Sequence, residues 1–156
     1  MMMMTRLVTA CVMVAGLAVS AMAQTTGTTN MEILRQKIKA DKKLVVAEAM
    51  ALTEAESKAF WPVYDAYQGD ISQINQRTVK LIQDYAASYK AMTDPVAGKL
   101  LDEAIAIEKD RAALFATYRP KFSAVLPATK VARYYQIENK IRAAINYDLA
   151  ASIPIM

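Results

Sequence analysis

The sequence predicts an all-α protein: a four-helix antiparallel arrangement around a long, kinked central hairpin. Three observations carry this. Phe60, Tyr64, Tyr67, Ile71, Ile74, Thr78, Leu81 and Tyr85 follow one another in alternating steps of four and three, an uninterrupted heptad seam. Thr53 and Glu56 have the spacing of a capping box immediately before that seam. The 156 residues include only four glycines and hold no alternating strand pattern and no glycine-rich loop.

Taken in order, the first element is an export signal. Arg6 supplies a positive charge, Leu7 to Val19 form a short apolar run, and Ala21-Met22-Ala23 has the small-x-small form of a cleavage site. The run is too short to span a bilayer comfortably, and no stop-transfer pattern follows. Residues 1–23 are therefore expected to be removed, with Gln24 as the new first residue, a periplasmic location and no stable membrane anchor. Cys11 has almost no apolar run before it and does not read as a lipid-anchored cysteine. Residues 24–30, QTTGTTN, are polar and aperiodic and read as a disordered start to the mature chain. Residues 31–156 read as a single helical domain.

Helix one is expected over about 31–50, with Leu34, Ile38, Val45 and Ala49 on one stripe and Asp41 interrupting it. Helix two starts at 54, after the capping box, and runs to about 91. Asp94 suits an N-cap and Pro95 the first helical position, so helix three runs over 95–125. Its stripe includes Leu101, Ala104, Phe115, Tyr118, Phe122 and Val125, with Leu100, Ile107 and Leu114 on the flank. Leu126-Pro127 ends it. Helix four, 128–151, carries Val131, Tyr134, Tyr135, Ile141, Ile145 and Leu149 inward, and Ser152 and Pro154 close it.

Short connections make neighbouring helices antiparallel. Pro62 and Pro120 then fall at nearly the same level of the central hairpin, each removing a backbone hydrogen bond from its helix, and together they predict a coherent bend. Phe60, Trp61, Tyr64 and Tyr67 come opposite Phe115, Tyr118 and Phe122; Tyr134 and Tyr135 reach that level from helix four, and Leu44 and Ile38 from helix one. These rings read as a hydrophobic core. Glu108 and Arg111 fall on the seam of helix three and Glu138 on that of helix four, so Arg111–Glu138 and Glu108–Arg142 are both open as register-setting pairs.

Helix one is too short to cover all of helix two. Ile74, Leu81, Ile82, Tyr85, Tyr89 and Met92 are left for helix three, helix four or another molecule, and form a candidate partner surface. The charge is also uneven. Lys99 to Asp110 holds Asp102, Glu103, Glu108 and Asp110, whereas Arg119 to Arg142 holds Arg119, Lys121, Lys130, Arg133, Lys140 and Arg142 against Glu138 alone. Arg133 and Lys140 join the candidate surface, because a basic face attracts anionic partners. The full chain carries a net charge of +4, which becomes +3 without Arg6.

What is missing excludes much. The chain has no histidine, and Cys11 is its one cysteine. Haem ligation, Ser-His-Asp or Cys-His catalysis, and ordinary zinc or copper sites all lose their ligands. An enzyme is not expected, nor is a cofactor, a metal site or, for an exported protein, a nucleic-acid partner.

Leu52-Thr53-Glu54-Ala55-Glu56, at a turn before a long helix in an exported, cysteine-poor, all-helical chain, resembles the Leu-Thr-x-x-Gln motif of the Spy/CpxP type of periplasmic chaperone and stress adaptor. Leu126-Pro127-Ala128-Thr129-Lys130 stands in the place of that family's second motif, with both its Thr and its Gln replaced. Phe60-Trp61-Pro62-Val63-Tyr64 and the Arg133 to Glu138 segment are similar to a group of small exported proteins of unassigned role. The resemblance covers about residues 31–151. It implies a curved, often dimeric helical cradle whose basic, patchily apolar concave face holds unfolding proteins weakly and without ATP. The alternative function is a non-catalytic adaptor with one dedicated envelope partner.

Overall fold

The structure, a computed structural model, describes residues 41–155. The expected export signal, the polar stretch 24–30 and residues 31–40 of the expected first helix lie outside the described residues. Among the described residues the protein is all-helical: α1 (Lys42–Met50), α2 (Glu54–Ser88), a 3-10 turn (Tyr89–Ala91), α3 (Asp94–Ser123) and α4 (Ala128–Ser152).

Asp41 begins α1 instead of interrupting it. Its backbone is extended, and its carboxylate accepts from the Leu44 amide at 3.1 Å. That start rotates the inward face by one position. Val46 and Met50 are fully buried, Val45 packs against the core from the edge, and Leu44 and Ala49, both expected inward, are exposed. Ala51 then takes a left-handed conformation, φ 46°, to end α1, a position that costs a residue with a Cβ about 1–2 kcal/mol.

The capping box forms as predicted. Thr53 Oγ1 accepts from the Glu56 amide at 3.3 Å, and Glu56 Oε2 accepts from the Thr53 amide at 2.8 Å. From there α2 runs for 35 residues, about 52 Å at the helical rise. Its last turn tightens into the 3-10 segment. Thr93, not Asp94, is the N-cap of α3, and Asp94 and Pro95 lie inside its first turn. α3 stops at Ser123, two residues early, because the Phe122 carbonyl accepts from both the Val125 and Leu126 amides.

α2 and α3 run antiparallel against each other for most of their length. Ring contacts fix the register: Phe60 with Phe122 at 5.8 Å and Tyr67 with Tyr118 at 5.3 Å. Further along, Arg77 of α2 grips Glu103 (2.8 Å) and Asp110 (2.6 Å) of α3, so part of the acidic stretch is consumed by pairing. Pro62 and Pro120 sit inside unbroken helices on either side of this aromatic level. α4 turns back along α3 and parallel to α2, while α1 packs on α4.

The core follows. Phe60, Phe122 and Tyr134 are fully buried, and Tyr64, Tyr67 and Tyr118 nearly so. Phe122 and Tyr134 stand 4.7 Å apart, and Phe60 meets Tyr134 edge-on at 5.2 Å. The aromatic cluster is therefore packing, as read from the sequence. Trp61 lies at its edge: its indole donates to Ser57 Oγ at 2.7 Å, and the Lys43 ammonium sits 5.1 Å from its ring.

The inward face of α3 differs from the expectation. Ile107, placed on the flank, is buried, and Leu101, placed on the stripe, is 60% exposed. A 3.6-residue helix drifts away from a seven-residue pattern over thirty residues, so the seam that meets α2 near Phe122 has rotated by the time it reaches Leu101.

Candidate functional site

α3 and α4 are held together near their shared turn by aromatic contacts, Phe122 on Tyr134 and Phe115 on Tyr135 (4.5 Å). Past Tyr135 the link passes to long polar side chains: Arg142 of α4 donates to Glu108 of α3 at 2.9 Å. Between α2, α3 and α4 lies a groove of about 460 Å³. That size lies within the range of small-molecule and peptide-side-chain pockets. Its apolar walls are Ile71, Val79 and Ile82 from α2, Phe115 from α3, and Ile145 and Leu149 from α4. Val79 and Ile145 are 55% and 44% exposed, which makes them the apolar rim.

Arg111 crosses the floor. Its guanidinium donates to Asn75 Oδ1 at 2.9 Å and to Thr78 Oγ1 at 3.4 Å; its Nε is buried and finds no hydrogen-bond acceptor in the structure. The expected Arg111–Glu138 pair does not form, whereas Glu108–Arg142 does. Glu108, placed on the seam by its number, is exposed at the groove mouth. Glu138 closes one end of the groove. Its carboxylate accepts from Lys42 Nζ (2.9 Å), Gln68 Nε2 (3.0 Å) and the Tyr134 hydroxyl (3.1 Å), so one group ties α1, α2 and α4 together. Burial, and after it the Glu138 charge, push the Tyr134 hydroxyl far above the ordinary tyrosine range. Burial likewise raises Tyr67 to about 12. Both hydroxyls therefore stay protonated at any physiological pH, and Tyr134 stays a donor to Glu138.

The predicted partner surface divides into three parts. Ile82 lines the groove. Ile74 is buried in the core and Leu81 packs against it, a correction: the α2–α3 hairpin covers them itself. Tyr85 and Tyr89 donate to the Pro154 and Ile155 carbonyls at 2.7 and 3.3 Å, so the tail after α4 crosses the far end of α2, and Met92 is half-buried beside that end. Arg133 and Lys140 are exposed but lie outside the groove; the cations that line it are Lys42, Arg111 and Arg142. Sequence reasoning missed this substitution. The available signal was that Arg111 and Arg142 interrupt apolar stripes, whereas Arg133 and Lys140 do not. Tyr135 and Ile145, expected on the apolar stripe of α4, stand at the groove edge and are 45% and 44% exposed.

The two motif-like turns meet at the opposite end of the molecule. Lys130 Nζ donates to Glu56 Oε2, the carboxylate oxygen that also closes the capping box. Leu126 is buried in the core between them, Leu52 packs against it and Pro127 is exposed as the N-cap of α4. Lys130 and then the Thr53 amide hold the Glu56 carboxyl below the usual carboxylate range. A depressed carboxylate adds stability that is present above its unfolded pKa of about 4.3 and lost as the pH falls through the folded value. Glu56→Gln keeps a capping-box residue but removes the charge. The variant is expected to unfold at lower urea than the parent at pH 7, with the gap closing on titration below about pH 4. Equal gaps at both pH values would show that the Lys130 pairing adds nothing.

Among the described residues no group of three or more His, Cys, Asp or Glu side chains could hold a metal ion. No described helix is long and apolar enough to cross a membrane. No family model, no curated protein and no solved structure matches the chain.

Proposed function

We propose that this is an exported, non-catalytic binding protein of the chaperone or stress-adaptor kind, which holds unfolded or envelope proteins in the groove between α2, α3 and α4. The observation that carries the reading is the groove itself. It is open, its walls are mainly aliphatic, and its charged groups Glu108, Arg142 and Glu138 are engaged with one another or with neighbouring polar groups. Arg111 Nε is the one buried side-chain donor there without an acceptor, among the described residues; the rest of the surface offers chiefly apolar contact, which suits weak holding of varied segments over recognition of one ligand. Holding without ATP and dimerisation rest on the Spy/CpxP resemblance.

The test is light scattering of several unrelated destabilised clients at near-stoichiometric ratios, with sedimentation of the protein alone and with client to read its oligomeric state. Suppression of aggregation is expected. Val79→Asp with Ile145→Asp should reduce it several-fold while leaving helicity intact, because both positions are exposed rim. Unchanged aggregation of every client by the parent protein would remove the reading. One tight, saturable envelope partner would replace it with the dedicated adaptor.

A further inference from the structure

Arg111 is the exception among the charged groups of the groove. Lys42 answers Glu138 at 2.9 Å and Arg142 answers Glu108 at 2.9 Å, so two of the three cations that line it are matched by its two carboxylates. Arg111 is the third. Its terminal nitrogens donate to two neutral oxygens, Asn75 Oδ1 and Thr78 Oγ1. Its nearest carboxylate, Glu108, stands 3.9 Å from Nε, is 62% exposed and is already held by Arg142. The Arg111 side chain is only 16% exposed, so water screens its charge poorly. Among the described residues, the groove thus holds one cation more than carboxylates. Apolar walls continue from this charge in one direction. α2 and α4 run parallel, so Val79 and Ile82 follow Thr78 as Ile145 and Leu149 follow Arg142. From Arg142 to Leu149 the run is seven residues, about 10 Å at the helical rise. It stops three residues past Ile82, where Tyr85 donates to the Pro154 carbonyl at 2.7 Å and the segment after α4 crosses α2.

We propose that the groove is a binding site for a free medium-chain aliphatic carboxylate, with its head at Arg111 and its chain along Val79, Ile82, Ile145 and Leu149. A monoanion supplies the one negative charge that the groove lacks, and a carboxylate on a poorly screened guanidinium makes a strong, charge-assisted contact. A 10 Å run takes an extended chain of about nine or ten carbons. Each methylene fully withdrawn from water there strengthens binding by up to about fourfold. The site is independent of client holding: it needs only Arg111 and the apolar run beyond it.

Calorimetric titration of the purified protein with decanoate, below its micelle-forming concentration, tests it. Decanoate is expected to saturate one site and to bind at least roughly tenfold tighter than decanol, which lacks the charge, or butanoate, which lacks the chain. Equal affinity for decanol overturns the proposal, because the groove would then be an apolar trough alone. Equal affinity for butanoate also overturns it, by marking a bare anion site. Arg111→Met is expected to weaken decanoate at least roughly tenfold and to leave decanol unchanged. Arg133→Met, at an exposed cation outside the groove, is expected to change neither. An equal loss in both variants would show diffuse charge attraction and overturn the site. If Arg111→Met does not keep the helicity and urea midpoint of the parent, Val79→Asp, at an exposed rim position, takes its place and is expected to show the same loss for decanoate. Decanoate binding by a protein that suppresses no aggregation keeps the site and removes the client reading. Suppression without decanoate binding does the reverse.

Discussion

Phe122→Ala is expected to lower the unfolding free energy by about 3–5 kcal/mol, the cost of deleting a fully buried ring. Phe122 stands where three helices meet. Its ring lies 4.7 Å from Tyr134, 5.8 Å from Phe60 and 6.0 Å from Tyr67, so the cavity would be walled by side chains on α2 and α4 that cannot collapse together without moving a helix. Single domains are stable by only about 5–15 kcal/mol, so this one change removes a large share. Urea unfolding followed by helicity reads it. The exposed Val79→Ala should stay within about 0.5 kcal/mol of the parent under the same conditions. A Phe122→Ala loss below about 1 kcal/mol would mean that the aromatic cluster is not the centre of the fold.

Glu138→Leu is expected to cost about 1–3 kcal/mol, chiefly because it leaves the buried Tyr134 hydroxyl without an acceptor; the half-buried Gln68 amide still donates to the Tyr134 oxygen at 3.2 Å. Lys42 is more exposed and can turn to water, so its share is small. Tyr134→Phe removes one donor and leaves the carboxylate two others, and should cost less. In the double variant Glu138→Leu/Tyr134→Phe the Tyr134 hydroxyl is no longer stranded, so the two losses should add to less than their sum. Strict additivity would show that the hydroxyl and the carboxylate do not act together.

Much of the fold was legible because it is local. The capping box, the stop near residues 92–95 and the helix-breaking Leu126-Pro127 each depend on a few neighbouring side chains and their backbone, and each formed within a residue or two of its expected place. The aromatic core was legible because large rings on short-linked antiparallel helices have one level at which to meet. The groove was less so. The spacing marks Ile82 as partner surface, but it marks Ile74 and Leu81 equally, and these are covered within the molecule; charge counting points to Arg133 and Lys140, whereas Arg111 and Arg142 line the groove. Stripe assignments that are right at one end of a thirty-residue helix are wrong at the other, as Leu101 and Ile107 show.

The sequence by itself determined that this protein is helical, where α2, α3 and α4 begin and end to within a few residues, and which rings form its centre, because hydrogen-bonded helix ends and heptad spacing are properties of adjacent residues. Only the tertiary structure decided that Arg142 answers Glu108 past Tyr135, that Glu138 answers Lys42 and Gln68 and not Arg111, and that Lys130 closes on Glu56 across 74 residues. Those choices depend on the lateral spacing and rotation of whole helices, set by how the bulky core packs, and no stretch of neighbouring residues encodes that distance.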